Sequence, residues 1–129
     1  MALGISKVTG TLMSGSVAGG SSTPTWGTAL NAVAGERFDN LLFQAKIEFG
    51  AGSSGDAVIH RRKSADDGTT LTNTGTAILT VTNDTATPPI VEFELAGGDY
   101  VEIGVENEDA SVALTATVTY EGTKITGLS

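Results

Sequence analysis

Cysteine is absent from this 129-residue chain, so disulfides cannot stabilise the fold and thiol redox chemistry is excluded. Aromatic residues make up only 5% of the sequence, with a single tryptophan. No apolar run approaches the roughly 20 residues that a membrane-spanning helix requires. The first ten residues, MALGISKVTG, lack the basic start and long apolar centre of a secretion signal. We therefore expect neither a membrane partner nor a cleaved secretion signal.

Basic residues are scarce: seven stand against fifteen acidic residues, for a formal net charge of −8. This balance argues against nucleic-acid binding by attraction to phosphates. Proline is also rare, with three residues, whereas there are seventeen glycines and many threonines, valines and alanines. That composition is typical of short β-strands joined by turns.

The first 35 residues carry one charged side chain, Lys7, and are rich in glycine, serine and threonine, as in SGSVAGGSSTPTWGT. Such a composition buries little apolar surface and is typical of an extended arm. We predict an N-terminal arm over residues 1–35 and a β-sandwich domain over residues 36–129. The arm would lie on its own domain or on a neighbouring chain, and Trp26 could anchor it in either place. We favour the neighbouring chain, because the remainder has enough strands for its own sandwich.

From residue 36 onward, apolar residues alternate with polar ones, which is the period of a half-buried strand. Six segments show the pattern: LLFQAKIEF, DAVIHRRK, TAILTVT, VEFEL, YVEIGVE and SVALTATVTYE. Turn-forming segments separate them. We predict an all-β, antiparallel, jelly-roll-like β-sandwich, with one or two further strands from the arm. A helix over residues 28–45 is the competing interpretation, but Gly35 and the alternation that follows favour a strand from about Leu41.

The stretch LAGGDYVEIG, residues 95–104, joins two alternating segments. A hairpin here would place Glu94 opposite Glu102, and like charges directly opposite each other are destabilising. We therefore favour a corner at which the chain leaves one sheet and enters the other. Gly97 and Gly98 would supply the positive φ angles of such a corner, and Asp99 could cap its exposed amides.

His60 is the only histidine, so any Ser-His mechanism would have to use it. No acidic partner lies at motif spacing, and the neighbouring cations in HRRK disfavour its protonated form. The nucleophile motif G-x-S-x-G is also missing. We therefore predict a protein that is not an enzyme, with no catalytic residue and with His60 at a surface or interface.

The other charged groups are not typical of a cofactor site. Arg61, Arg62 and Lys63 are expected to protect an edge strand, to be solvated, or to contact an acidic patch on a neighbouring subunit. Loop residues could gather a calcium ion, but no D-x-[DN]-x-[DN]-G loop is present, so we predict no metal. Glycine-rich stretches lack the Lys-Ser/Thr ending of a phosphate loop, so we predict no nucleotide. The oxygen-bearing side chains that could bind calcium or remain as surface charge are in the strands Glu92, Glu94, Glu102 and Glu106, and in the loops Asp66, Asp67, Asp84, Asn107, Glu108 and Asp109.

The string from Leu95 to Val101, LAGGDYV, with the closing strand SVALTATVTYEG, resembles the late strands of jelly-roll domains of the tumour-necrosis-factor and complement-C1q-like type. The whole chain is similar to small virion proteins of tailed bacteriophages, such as capsid decoration (cement) proteins. This likeness rests on the Gly/Ser/Thr-rich arm, the absence of cysteine, the acidic balance and the threonine-rich strands. The resemblance implies a virion location, a major capsid protein or another virion protein as partner, and a homo-oligomer, with a trimer favoured.

Two classes of function follow. The first is a structural protein of a phage virion that stabilises contacts between shell subunits, or a head-tail or tail attachment protein. The second is a carbohydrate- or receptor-binding jelly-roll module. Sugar sites normally use exposed aromatic platforms, and the low aromatic content of this chain favours the first class.

Overall fold

The computed structural model of the chain describes residues 4–20, 23–31, 36–63, 76–95 and 100–127. No helix that could cross a bilayer is found in these residues. They contain nine β-strands, which confirms the predicted all-β class. The strands are β1 (Gly4–Val17), β2 (Thr25–Trp26), β3 (Leu30–Asn31), β4 (Arg37–Phe49), β5 (Ala57–Lys63), β6 (Thr76–Val81), β7 (Ile90–Leu95), β8 (Tyr100–Asn107) and β9 (Leu114–Thr126).

The strands form two antiparallel sheets. The first sheet has the order β1-β9-β4-β7, and the second has the order β2-β8-β5-β6, with β3 also pairing with β8. The pairing is nested along the chain: β1 joins β9, β2 and β3 join β8, β4 joins β7, and β5 joins β6. This nested order is the connectivity of a jelly roll, in which a long folded-back ribbon wraps into two sheets.

The core lies between the two sheets and follows the predicted alternation. In β4, Phe43 and Ile47 are fully buried, while the intervening polar residues are exposed. Phe43 stacks on Phe93 of β7, with ring centroids 5.3 Å apart. From the second sheet, Ile59 and Ile103 are fully buried in the same cluster. Burial of such side chains contributes about 1.5–3 kcal/mol each, and it holds the two sheets together.

The structure corrects the placement of the predicted arm. Residues 4–17 form β1, which pairs with β9 over the whole length of the strand, and Leu12 and Val17 belong to the core. The segment from Gly4 to Val17 therefore lies on its own domain and not on a neighbouring chain. Gly10 shows why the glycine-rich composition does not indicate an unpacked arm. A Cβ at this position would lie 2.8 Å from Cε1 of Tyr120, so the Tyr120 side chain of β9 fills the space beside the glycine.

The predicted corner between β7 and β8 is confirmed by the topology. β7 belongs to the first sheet and β8 to the second, so the chain crosses the sandwich instead of forming a hairpin. Glu94 and Glu102 consequently lie in different sheets. Gly97, Gly98 and Asp99 fall outside the described residues. The competing helix over residues 28–45 is wrong where described, because β3 and β4 occupy most of that range.

Candidate interaction surfaces

The outer face of the second sheet carries an ordered set of polar and aromatic side chains. We call it the polar ladder: Trp26, His60, Arg62, Tyr100, Glu102 and Glu106. The strand register brings these residues together, since Trp26 pairs with Gly104, Gly104 pairs with His60, and Glu102 pairs with Arg62. The ladder thus combines residues from three strands that are far apart in the sequence.

Arg62 is the centre of one half of the ladder. Its Nε donates to Oε2 of Glu102 at 2.5 Å, and its guanidinium lies 4.1 Å from the centre of the Trp26 ring. The hydroxyl of Tyr100 donates to the other oxygen of Glu102. Burial, together with the hydrogen bond to Glu102, raises the pKa of Tyr100 to about 12. Glu102 is only 8% exposed, and its negative charge is compensated within the protein by the guanidinium of Arg62.

His60 forms the other half of the ladder. Its Nε2 lies 2.8 Å from Oε1 of Glu106, and only 13% of the His60 side chain is exposed. Its Nδ1 is buried, with no hydrogen-bond partner in the described part of the chain. Glu106 could not be identified from the sequence as an acidic partner of His60, because the two residues are 46 positions apart and meet only through the register of β5 and β8.

Gly104 allows Trp26 to lie against the sheet. A Cβ on Gly104 would be 2.8 Å from Cε3 of Trp26, closer than real Cβ contacts. Trp26 is therefore anchored on its own domain, which is one of the two places expected from the sequence. The ring covers the backbone of β8 and one face of Arg62.

The basic cluster does not protect an edge. β5 lies between β8 and β6, so Arg61, Arg62 and Lys63 belong to an interior strand of the second sheet. Arg62 is paired with Glu102 of the same chain, as described above. The expectation that this cluster protects an edge strand is therefore wrong. A local run of basic residues does not show which strands will pair on either side of it.

The carboxylates in the loops accept hydrogen bonds from backbone amides of the loops. Oδ1 of Asp109 accepts from the amides of Ser54 and Gly55, and its Oδ2 accepts from the amides of Ser111 and Val112, at 2.7–3.2 Å. These donors hold the pKa of Asp109 well below its usual range. The carboxylate thereby ties the β4–β5 loop to the β8–β9 loop.

The remaining candidate calcium ligands are used in other ways. Asn107 donates to the carbonyls of Val17 and Val112, and Asp84 accepts amides of its own turn. In the described ranges, no group of three or more acidic or histidine side chains is arranged to hold a metal ion. Asp66 and Asp67 lie outside those ranges.

The outer face of the first sheet is rich in hydroxyl groups. A shallow groove of about 490 Å³ crosses its strands. Its lining includes Thr9, Thr11, Leu42, Gln44, Glu92, Thr119 and Glu121. Nε2 of Gln44 donates to Glu92 at 3.4 Å, and Glu94 is exposed nearby on β7. Of the two aromatic residues in the lining, Phe43 is fully buried and Tyr120 is partly buried, so the exposed contacts of this face are mainly polar.

The free edge of the first sheet is formed by β1. Within the described residues β1 forms a ladder with β9 only. Two outside hydrogen bonds reach its C-terminal half, from the amide of Thr28 to the carbonyl of Leu12 and from Nδ2 of Asn107 to the carbonyl of Val17. With respect to the described residues, the edge is therefore open from Gly4 to Thr11. Lys7 is the only charged residue in that range, and it lies 3.7 Å from Glu121 on β9. Open edge strands are templates for pairing with another chain.

Comparisons with known proteins give the fold but no family. No protein-family model matches the sequence, and no curated protein matches it significantly. Solved structures do match.

A chain from the structure of infectious bursal disease virus, Gx strain, matches with a TM-score of 0.58 at 9% identity, covering 98% of this chain and 32% of that one. The Gt strain gives a TM-score of 0.57 at 8% identity, covering 95% and 37%. The VP2 subviral particle of the same virus gives 0.51 at 11%, covering 97% and 38%. The chain thus spans about a third of these neighbours and shares with them a two-sheet β-sandwich.

Proposed function

We propose that the chain is a non-enzymatic structural protein of a phage virion, a capsid decoration (cement) protein that stabilises contacts between shell subunits. Its partner would be the major capsid protein or another virion protein. The observation that carries the proposal is the fold: almost the whole chain superposes on part of chains from virus particles and a subviral particle.

The surfaces support an adhesive role. The hydroxyl-rich face of the first sheet and the open edge of β1 are both available for contacts with other chains. Side-chain contacts on a sheet face and backbone pairing at an edge are two ways by which β-proteins bind partners. At one end of the jelly roll, Asp109 joins two loops through hydrogen bonds to their backbone amides.

The polar ladder supports a structural role more than a catalytic one. His60 is committed to Glu106, while Glu102 is shared between Arg62 and Tyr100. Arg62, Glu102 and Glu106 each have a side-chain partner on the same sheet, whereas Nδ1 of His60 has none among the described residues. Such a network stabilises the face that it covers.

Co-sedimentation tests the proposal. The purified protein would be mixed with empty shells of the major capsid protein encoded by the same genome, and the pellet would be quantified after centrifugation. We expect saturable binding with a fixed ratio of copies per shell and an increase in the melting temperature of the shell. An unrelated acidic β-protein of similar size is the control for charge.

Three results would count against the proposal. Failure to bind shells while binding isolated tails would favour an attachment protein. Binding of glycans in place of shells would favour the carbohydrate-binding alternative. A hydrolytic activity that is lost in His60→Ala, with the fold intact, would contradict the non-enzymatic assignment.

A further inference from the structure

The open part of β1 is a weakly protected strand edge of the described part of the molecule, and β1 is the longer of the two such edge strands, since the uncharged edge strand β6 has six residues. It extends from Gly4 to Thr11, contains no proline, and has one charge. Ile5 within it is 75% exposed. By contrast, the opposite edge strand β7 carries Glu92 and Glu94. Natural edge strands are usually protected by charges, prolines or short length, and this edge has none of the three along most of its course.

The charge distribution favours a second copy of the chain as the occupant. The protein has a net charge of −8, so two copies repel each other over most of their surfaces. The first acidic residue in the sequence is Glu36, so β1 contributes no carboxylate. Because Lys7 is also close to Glu121, the edge is nearly neutral. It is thus a long strand edge at which two copies can approach with little repulsion.

We propose that two copies of the chain pair through β1, antiparallel about a two-fold axis, to form one continuous sheet of eight strands. An isologous contact of this kind requires a self-complementary edge. Backbone hydrogen bonds supply the affinity, as in strand addition generally. The inference does not depend on the proposed virion function.

The strand pattern fixes the register. Facing residues must come from the same face of the sheet, so the axis has to pass through a residue and not between two residues. Thr28 blocks the edge at Leu12, which limits the ladder to residues up to Thr11. Within that limit, axes through Lys7 or Val8 give the longest ladders, of seven residues each.

Charge decides between these two registers. With the axis at Lys7, the two lysines would lie directly opposite each other, which is destabilising. With the axis at Val8, Lys7 faces Thr9 and Ile5 faces Thr11, so no like charges meet. The register with Val8 on the axis is therefore the one that we propose.

Position 9 provides the test, because it faces Lys7 of the second copy. Thr9→Lys places two like-charge pairs across the axis and should weaken dimerisation about tenfold. Thr9→Glu places two opposite-charge pairs there and should strengthen it. The double variant Lys7→Glu, Thr9→Lys should restore pairing. Dimerisation would be measured by sedimentation equilibrium over a range of protein concentrations.

Within one chain, Thr9 pairs with Glu121 of β9, so the two variants should affect the folded monomer in the opposite sense. Thr9→Lys should keep or raise the melting temperature, and Thr9→Glu should lower it. A change in association therefore cannot be mistaken for a loss of stability. Thr115→Lys is the matched control, since it adds the same charge on an exposed position of the same face, away from the edge.

The proposal is supported if Thr9→Lys weakens and Thr9→Glu strengthens dimerisation while Thr115→Lys has little effect. It is overturned if the protein is monomeric at all concentrations or trimeric, because a two-fold edge contact closes at two copies. It is equally overturned if both Thr9 variants change association in the same direction, or if Thr115→Lys has the same effect as Thr9→Lys. Shell binding would be scored separately, so its failure would leave this result unaffected.

Discussion

Arg62 and Glu102 are directly opposite each other in β5 and β8, and Nε of Arg62 donates to Oε2 of Glu102 at 2.5 Å. The Arg62 side chain is 21% exposed and the Glu102 side chain 11%. A charge pair at this depth stabilises the sheet only while both members are present, because either one alone would be buried without compensation.

Removal of one member of this pair should therefore be costly. We expect Arg62→Met to lower the free energy of unfolding by roughly 2–4 kcal/mol, somewhat less than for a fully buried pair. Met removes the ion pair with Glu102 and the guanidinium contact with Trp26 together, so the double variant Arg62→Met, Glu102→Gln is needed to isolate the unpaired charge. Urea unfolding followed by circular dichroism measures it.

The exposed pair Lys46–Glu48 serves as the control, since both side chains are about half exposed, at 47% and 48%. Lys46→Met should change the free energy of unfolding by less than about 0.5 kcal/mol. The double variant Arg62→Met, Glu102→Gln should be more stable than Arg62→Met alone. If the single and double variants were equally destabilised, the buried charge would not be the cause.

Asp109 should make stability depend on acid pH. Its pKa is lowered in the folded protein by backbone amides, those of Ser54 and Val112 foremost. As the pH falls below about 4, the unfolded state takes up the proton first, so stability decreases and continues to decrease until the folded carboxylate is protonated. Melting temperatures between pH 7 and pH 2 should show this loss.

The variant Asp109→Asn tests the assignment. It should be less stable than the native protein at pH 7, and the difference should become smaller as the pH falls. Asp84→Asn is the matched control, with a smaller loss at pH 7, because Asp84 only accepts amides of its own turn. A difference for Asp109→Asn that is constant across the pH range would exclude the carboxylate as the origin of the acid dependence.

Gly104 should tolerate no side chain. In Gly104→Ala the new Cβ would meet the Trp26 ring, so we expect a loss of roughly 1–3 kcal/mol and a change in tryptophan fluorescence. Gly15→Ala is the control, because a Cβ on Gly15 meets nothing within 4 Å. That variant should be neutral or slightly stabilised. Equal effects of the two substitutions would show that Trp26 does not pack on Gly104.

Much of the sandwich could be predicted because its inner positions are apolar and alternate. Phe43 and Ile47 in β4, and Ile103 and Val105 in β8, are buried as their spacing indicated. The corner after β7 could also be predicted, since a hairpin would have opposed two glutamates. These features depend on neighbours in sequence or on a simple pairing rule.

The contribution of β1 and the polar ladder could not be predicted in the same way. In β1 the inner positions include Gly10, so no continuous apolar alternation marks the strand, and its burial depends on residues of β9 such as Tyr120. His60 and Glu106 meet only because β5 and β8 pair in one register. Both features arise from contacts between segments that are distant in the sequence.

Removal of β1 tests its place in the sandwich. Deletion of residues 2–18 would expose one side of β9 and remove Leu12 and Val17 from the core, so we expect the truncated chain not to fold. Circular dichroism and one-dimensional proton NMR would show it. A truncated chain that melts cooperatively near the native temperature would mean that β1 is dispensable to the domain.

Electron cryomicroscopy of shells saturated with the protein tests the proposed function most directly. The shells would be those of the major capsid protein encoded by the same genome, imaged with and without the added protein. We predict additional density, at symmetry-related positions that bridge adjacent shell subunits, into which the two-sheet sandwich fits. Shells that remain bare at saturating concentrations of correctly folded protein would contradict the assignment as a capsid decoration protein.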